Sequence, residues 1–212
     1  MRNSFWIVAC VLAAAASACS DSSNPVEPSA SAVAATLPDE MSRTEQPNVG
    51  LRADLAAARR ATAAFHDPAV AAAAGYLFNE PCQQSASGAM GIHAPNPALV
   101  RDGIVNQDQP EILLYLPQDD GSLRLVGVEY MQFVTVRNPT TGTAGPWRSP
   151  SPWPAGYEVV TPTPELFGQI FQGPMAGHSP TMPWHWDLHV WLWAHNPDGM
   201  FAPWNPTLQC PQ

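Results

Sequence analysis

The sequence predicts a mainly β domain, a small barrel or sandwich (cupin-like at most by analogy), with one or two N-terminal α-helices and many Pro/Gly loops. Three observations point there. The 24 prolines and 14 glycines argue against a helix bundle and for short strands joined by turns. Compact apolar runs rich in β-branched and aromatic residues stand between turn residues in the second half of the chain. Alanine-rich, helix-like texture is confined to the stretch before residue 75.

The elements follow in order. Val49 to Phe65 carries Leu51, Leu55 and Ala58 at helical spacing, which predicts a helix. Asp67-Pro68 reads as an N-cap followed by proline at the first helical position, so a second helix runs from Pro68 to about Ala74 and stops at Gly75. Ile112–Leu116, bounded by Pro110 and Pro117, suits a buried strand, and Leu123–Val136 is long enough for a bent one. The Asp119-Asp120-Gly121 turn between them predicts a hairpin. A Pro/Gly-rich loop spans Asn138 to Gly156, a short strand follows at Tyr157–Val160, and Glu165–Phe171 reads as a helical turn or a loop. His185–Trp193 is the last strand, ended by the turn at Asn196-Pro197-Asp198-Gly199.

Residues 1–18 read as a secretory signal: Arg2 ahead of an apolar stretch from Phe5 to Ala16, then small residues. The apolar stretch is about a dozen residues, short of the roughly 20 that cross a bilayer. Ala16-Ser17-Ala18-Cys19 resembles a lipobox, with Ala16 where Leu is more usual, and predicts lipidation of Cys19. A lipoprotein's multiple acyl chains anchor stably, where one alone binds weakly. Residues 19–48 are then a lipid-anchored, disordered tether rich in Ser, Ala, Pro and acidic residues. The expectation is a protein held at the cell or outer membrane, facing the periplasm or the exterior. The single folded domain is 49–212, long enough to bury a core.

Charge and cysteines narrow the partners. The net charge is -9 and all nine basic residues are arginine, so nucleic acid, which needs a basic surface, is not an expected partner. With Cys10 in the signal and Cys19 lipidated, Cys82 and Cys210 remain, and in an oxidising compartment a disulfide is their default; free thiols or thiolate ligands are the other reading. Such a bond closes a loop of over a hundred residues, worth about 4–5 kcal/mol in the chain-entropy model.

The histidines carry the chemistry. In His185-Trp186-Asp187-Leu188-His189, strand alternation puts His185, Asp187 and His189 on one face. Residues two apart on a strand are roughly 6.5–7 Å apart, so adjacent members can converge on one ion. His185 and His189 are roughly 13 Å apart unless a bulge bends the strand. On a helix they would instead stand at the i, i+4 spacing of zinc helices. Asp187 is either a ligand or the carboxylate that orients a ligating histidine. His93 and Glu129 are the candidate ligands from elsewhere, and His178 is a further one. Glu129 lies among residues that favour burial, where an uncompensated carboxylate is costly. The purely structural alternative is a set of hydrogen-bonded histidines with no ion. Trp184, Trp186, Trp191, Trp193 and Trp204 read as core rings or as an exposed platform for sugars.

These segments carry a resemblance. Gly88-Ala-Met-Gly-Ile-His93, Leu125-Val-Gly-Val-Glu-Tyr130, Gly173-Pro-Met-Ala-Gly-His178 and His185-Trp-Asp-Leu-His-Val-Trp-Leu-Trp193 stand in this order between roughly residues 50 and 210. Together they resemble a family of uncharacterised exported bacterial proteins and lipoproteins. The resemblance implies no activity. It does imply that His93, Glu129, His178, His185 and His189 fall in the family's characteristic motifs.

Three functions remain open on sequence. One is an exported, membrane-tethered domain binding a divalent transition metal, for which His and carboxylate ligands suit Zn, Mn, Fe, Ni or Cu alike. The second is a metal-dependent enzyme with an open coordination position. The third is a surface module binding a non-metal ligand or glycan. Partners are then the membrane, through the lipid, and a metal or small-molecule ligand; no feature points to a particular protein partner. The chain has no Gly-rich phosphate loop, Gly-x-Ser-x-Gly elbow or Cys-x-x-Cys pair.

Overall fold

A computed structural model describes residues 41–147, 156–177 and 182–211. The signal, Cys19, the first part of the expected tether, the middle of the long Pro/Gly loop and His178 lie outside the described residues.

Helix α1 spans Met41–Thr62 and runs on into a 3-10 turn at Ala63–His66. It starts eight residues before the expected Val49. The run Met41-Ser-Arg-Thr-Glu-Gln46 is compatible with helix, although its composition alone reads as tether. Leu55, Ala58 and Thr62 form its buried stripe, and Arg59 Nε donates to the carbonyl of Leu192 at 3.1 Å. Helix α2, Pro68–Ala73, begins as expected, with the Asp67 carboxylate accepting from the amide of Ala69 at 2.9 Å.

Strand β1 (Cys82–Ser85) and strand β2 (Gly88–Pro95) form a hairpin. Neither is evident in sequence. Gly88 and Gly91 interrupt the hydrophobic alternation of β2, because the chain passes too close to its neighbours for side chains. A Cβ at Gly91 would lie 2.5 Å from the carbonyl oxygen of Tyr115. A short helix α3, Pro97–Asp102, follows, capped by Asn96. Strands β3 (Ile112–Pro117) and β4 (Leu123–Phe133) make the expected hairpin. The expected bend falls at Val134, where the chain leaves the first sheet and enters a second as β5 (Thr135–Arg137). Strand β5 lies between β6 (Ala144–Pro146) and β7 (Glu158–Val159).

Glu165–Phe171 is not a helical turn or loop. It holds a tight antiparallel pair, β8 (Glu165–Leu166) and β9 (Gln169–Ile170), turned at Phe167-Gly168, both with positive φ. The buried Phe167 ring packs on Tyr130 and Phe201, which holds the turn that a sequence window cannot see. After β10 (Gln172–Met175), strand β11 runs His185–Val190 and stops short of the expected Trp193. The amides of Trp191 and Trp193 leave the ladder for the carbonyls of Met200 and Val126.

The main sheet is antiparallel, in the order β1-β2-β3-β4-β11-β10, and it curls into a half-barrel. The fold is mainly β, with the helices toward the N-terminal end. One face of the sheet presents Leu113, Tyr115, Val128, Tyr130, Trp186, Leu188 and Val190 to a core shared with α1 and α2. The other carries Ile112, Leu114, Met131 and Trp191. An extra residue in β4, Val126, lets the register shift between Leu114 and Tyr115 while both faces stay apolar. Cys82 and Cys210 form a disulfide, with Cα atoms 5.9 Å apart, joining β1 to the C-terminal segment. Among the described residues, no helix is long and apolar enough to cross a membrane.

Candidate metal centre

The second face of the main sheet gathers the ionisable groups. Strand β11 pairs with β4 so that His189 stands opposite Glu129 and Asp187 opposite Met131. Glu129 in turn stands opposite Ile112 of β3, and His93 of β2 stands opposite Leu114. Residues directly across a ladder share a face, so His93, Glu129, His185, Asp187 and His189 all project to one side. All five are buried; Glu129 is 1 % exposed and Asp187 3 %.

Two imidazoles converge on one oxygen. His93 Nε2 lies 3.2 Å and His189 Nε2 3.7 Å from Glu129 Oε2. Farther along β11, His185 Nε2 lies 3.9 Å from Asp187 Oδ2. Each of two sets, His93/Glu129/His189 and Glu129/His185/Asp187, brings three ligand atoms within 4.8 Å of one another. Donors bound to one ion at about 2.1 Å stand roughly 3–4 Å apart, so these buried groups can hold a metal.

The electrostatics are those of buried charge seeking compensation. Burial pushes the Glu129 carboxyl up, but His189, His93 and His185 outweigh it and hold it down at about 2. For His93, burial opposes the charged form, yet the adjacent Glu129 carboxylate and Glu80 hold the imidazole above its ordinary value. Asp187 is pushed up to about 8 by burial and then by the charge on Glu129. No hydrogen bond of good geometry reaches either oxygen of Glu129 or Oδ1 of Asp187 from the described residues. His93 and Glu129 form a buried ion pair at 3.2 Å when the imidazole is protonated. A buried carboxylate is costly unless a positive charge faces it, and here a histidinium or a metal ion in its place supplies that charge.

A cavity of about 340 Å³ reaches the site from one side. His93 and Glu129 line it, with apolar walls that include Ile112, Met131, Phe133 and Met182. Its exposed Arg101 and Asn79 mark the solvent side. His185, Asp187 and His189 are not among its lining residues. Sequence reasoning missed Met131 and Phe133 here, although both alternate with Glu129 along β4; Arg101, on α3, left no such signal.

The structure brings together the five histidines and carboxylates singled out in sequence. His178 lies outside the described residues, and His66 and His195 are exposed and apart from the group. Trp186 and Trp191 are buried and Trp184, Trp193 and Trp204 half-buried, as packing rings are. No family model, curated protein or solved structure matches this chain.

Proposed function

We propose that this chain is an exported, lipid-anchored protein of the family its motifs resemble, and that its folded part binds a divalent transition metal through His93, Glu129 and His189. The observation that carries the reading is the approach of two imidazole nitrogens to the same buried carboxylate oxygen, at 3.2 and 3.7 Å. A lone proton shared in such a group makes an ion pair; a divalent cation satisfies all three groups together. His and carboxylate donors suit Zn, Mn, Fe, Ni or Cu. The cavity beside His93 and Glu129 favours a second reading of the same site, a metal-dependent enzyme, because it leaves room for a small ligand at the ion.

The test is metal content by mass spectrometry on tag-free protein prepared from the periplasm without chelators, beside a His93→Ala/His189→Ala variant. Bound metal in the wild type and its loss in the variant support the site. A wild type that neither carries nor takes up any of these metals, or a variant with unchanged content, overturns it.

A further inference from the structure

The five donors do not form one coordination set. They form two sets of three that share Glu129. His185 and His189, four residues apart on β11, fall in different sets, one with Asp187 and the other with His93. Glu129, opposite His189 and two ladder pairs from Asp187, is the residue that belongs to both sets.

The set of Glu129, His185 and Asp187 has its own signs of a metal site. His185 Nδ1 lies 3.1 Å from the carbonyl oxygen of Pro183. A carbonyl only accepts, so Nδ1 carries the hydrogen and Nε2 is the nitrogen 3.9 Å from Asp187 Oδ2. That is how a ligating histidine is oriented, its outer N–H donated to a backbone carbonyl. Asp187 Oδ1 is buried and accepts no hydrogen bond within the described residues. Two carboxylates are thus buried beside one another, an arrangement that a cation between them stabilises.

We infer that this chain holds a second divalent transition metal ion at Glu129, His185 and Asp187, and that the Glu129 carboxylate bridges the two ions. The inference rests on the metal-binding reading above and deepens it. In a carboxylate-bridged pair the ions stand roughly 3.5–4 Å apart and can clamp one small oxygen ligand between them. The ion at His93 faces the cavity that His93 and Glu129 line.

The test counts ions on the full chain purified without chelator and reloaded with Zn²⁺, by mass spectrometry and by anomalous diffraction from crystals. Two ions per chain are expected, falling to one in Asp187→Ala and in His185→Gln, with the ion at His93 retained. One ion in the wild type, at His93/Glu129/His189 and indifferent to both substitutions, overturns the bridged pair and leaves the metal-binding reading standing. One ion lost in both variants overturns the pair as well, since only the position at Asp187 is then used. No ion at all overturns both. If the variants do not fold, the anomalous map of the wild type decides alone: two peaks flanking Glu129 support the pair, and any other pattern overturns it.

Discussion

His93 and Glu129 meet at 3.2 Å although they stand on strands that are not neighbours. Strand β3 runs between their strands, so the two backbones are roughly 10 Å apart and the side chains meet above Ile112 and Leu114. The curl of the sheet brings β2 and β11 toward the same carboxylate, and the centre depends on that curl.

Replacing either His93 or His189 by alanine is expected to weaken metal binding by at least about 100-fold. Loss of a group that merely orients a ligand costs roughly 10–100-fold, and these residues are proposed as ligands themselves. Competition with a chromophoric chelator reads the change. A loss below tenfold in both variants would remove them from the ligand set.

Metal is also expected to stabilise the fold, because the donors come from β2, β4 and β11 and are gathered only in the folded chain. At a hundredfold excess over Kd the gain is about 2.7 kcal/mol. For a chain of this size that is roughly 5–10 °C in Tm. Differential scanning calorimetry with and without EDTA checks it.

Gly127→Ala is expected to destabilise the protein by about 1–3 kcal/mol and to weaken metal binding. An added Cβ would lie 2.8 Å from the carbonyl oxygen of Val190, which is backbone and cannot swing aside. Strand β11 must shift to accept it, and His189 shifts with it. Chemical denaturation and the chelator titration together measure the two effects.

Glu111 sets a pH dependence. Burial pushes its carboxyl up to about 8 from an ordinary 4.5, against the hydrogen bond it accepts from the Met131 amide. The unfolded chain releases this proton at ordinary pH while the folded chain keeps it. Stability therefore falls as pH rises from about 4.5 to about 8 and levels off above that. Glu111→Gln keeps an acceptor for Met131 and removes the titration. Its stability relative to wild type is expected to rise with pH, by up to about 3 kcal/mol at pH 7. Parallel denaturation curves at pH 5 and pH 8 would contradict this.

Reduction of Cys82–Cys210 is expected to lower stability by up to about 5 kcal/mol, given the 128-residue separation it closes. Denaturation with and without a reductant, at constant metal, reads it.

What the sequence determined by itself is what local chemistry can decide. The Asp67-Pro68 cap, the Asp119-Asp120-Gly121 hairpin and the alternation of His185, Asp187 and His189 against Trp186, Leu188 and Val190 each arise within a few residues, from φ/ψ preference and strand period. The candidate donors were legible for the same reason: an acid flanked by apolar residues at Glu129, and a two-residue repeat on β11. Strand β2 was not legible, because its glycines record close approach to Tyr115 and Asn205, contacts 24 and more residues away in the chain. The turn at Phe167-Gly168 was hidden likewise, since rings from Tyr130 and Phe201 hold it. Only the tertiary structure decided which histidine meets which carboxylate. That is a matter of register between strands and of the curl that carries β2 over β3, and both are set by packing across the whole sheet.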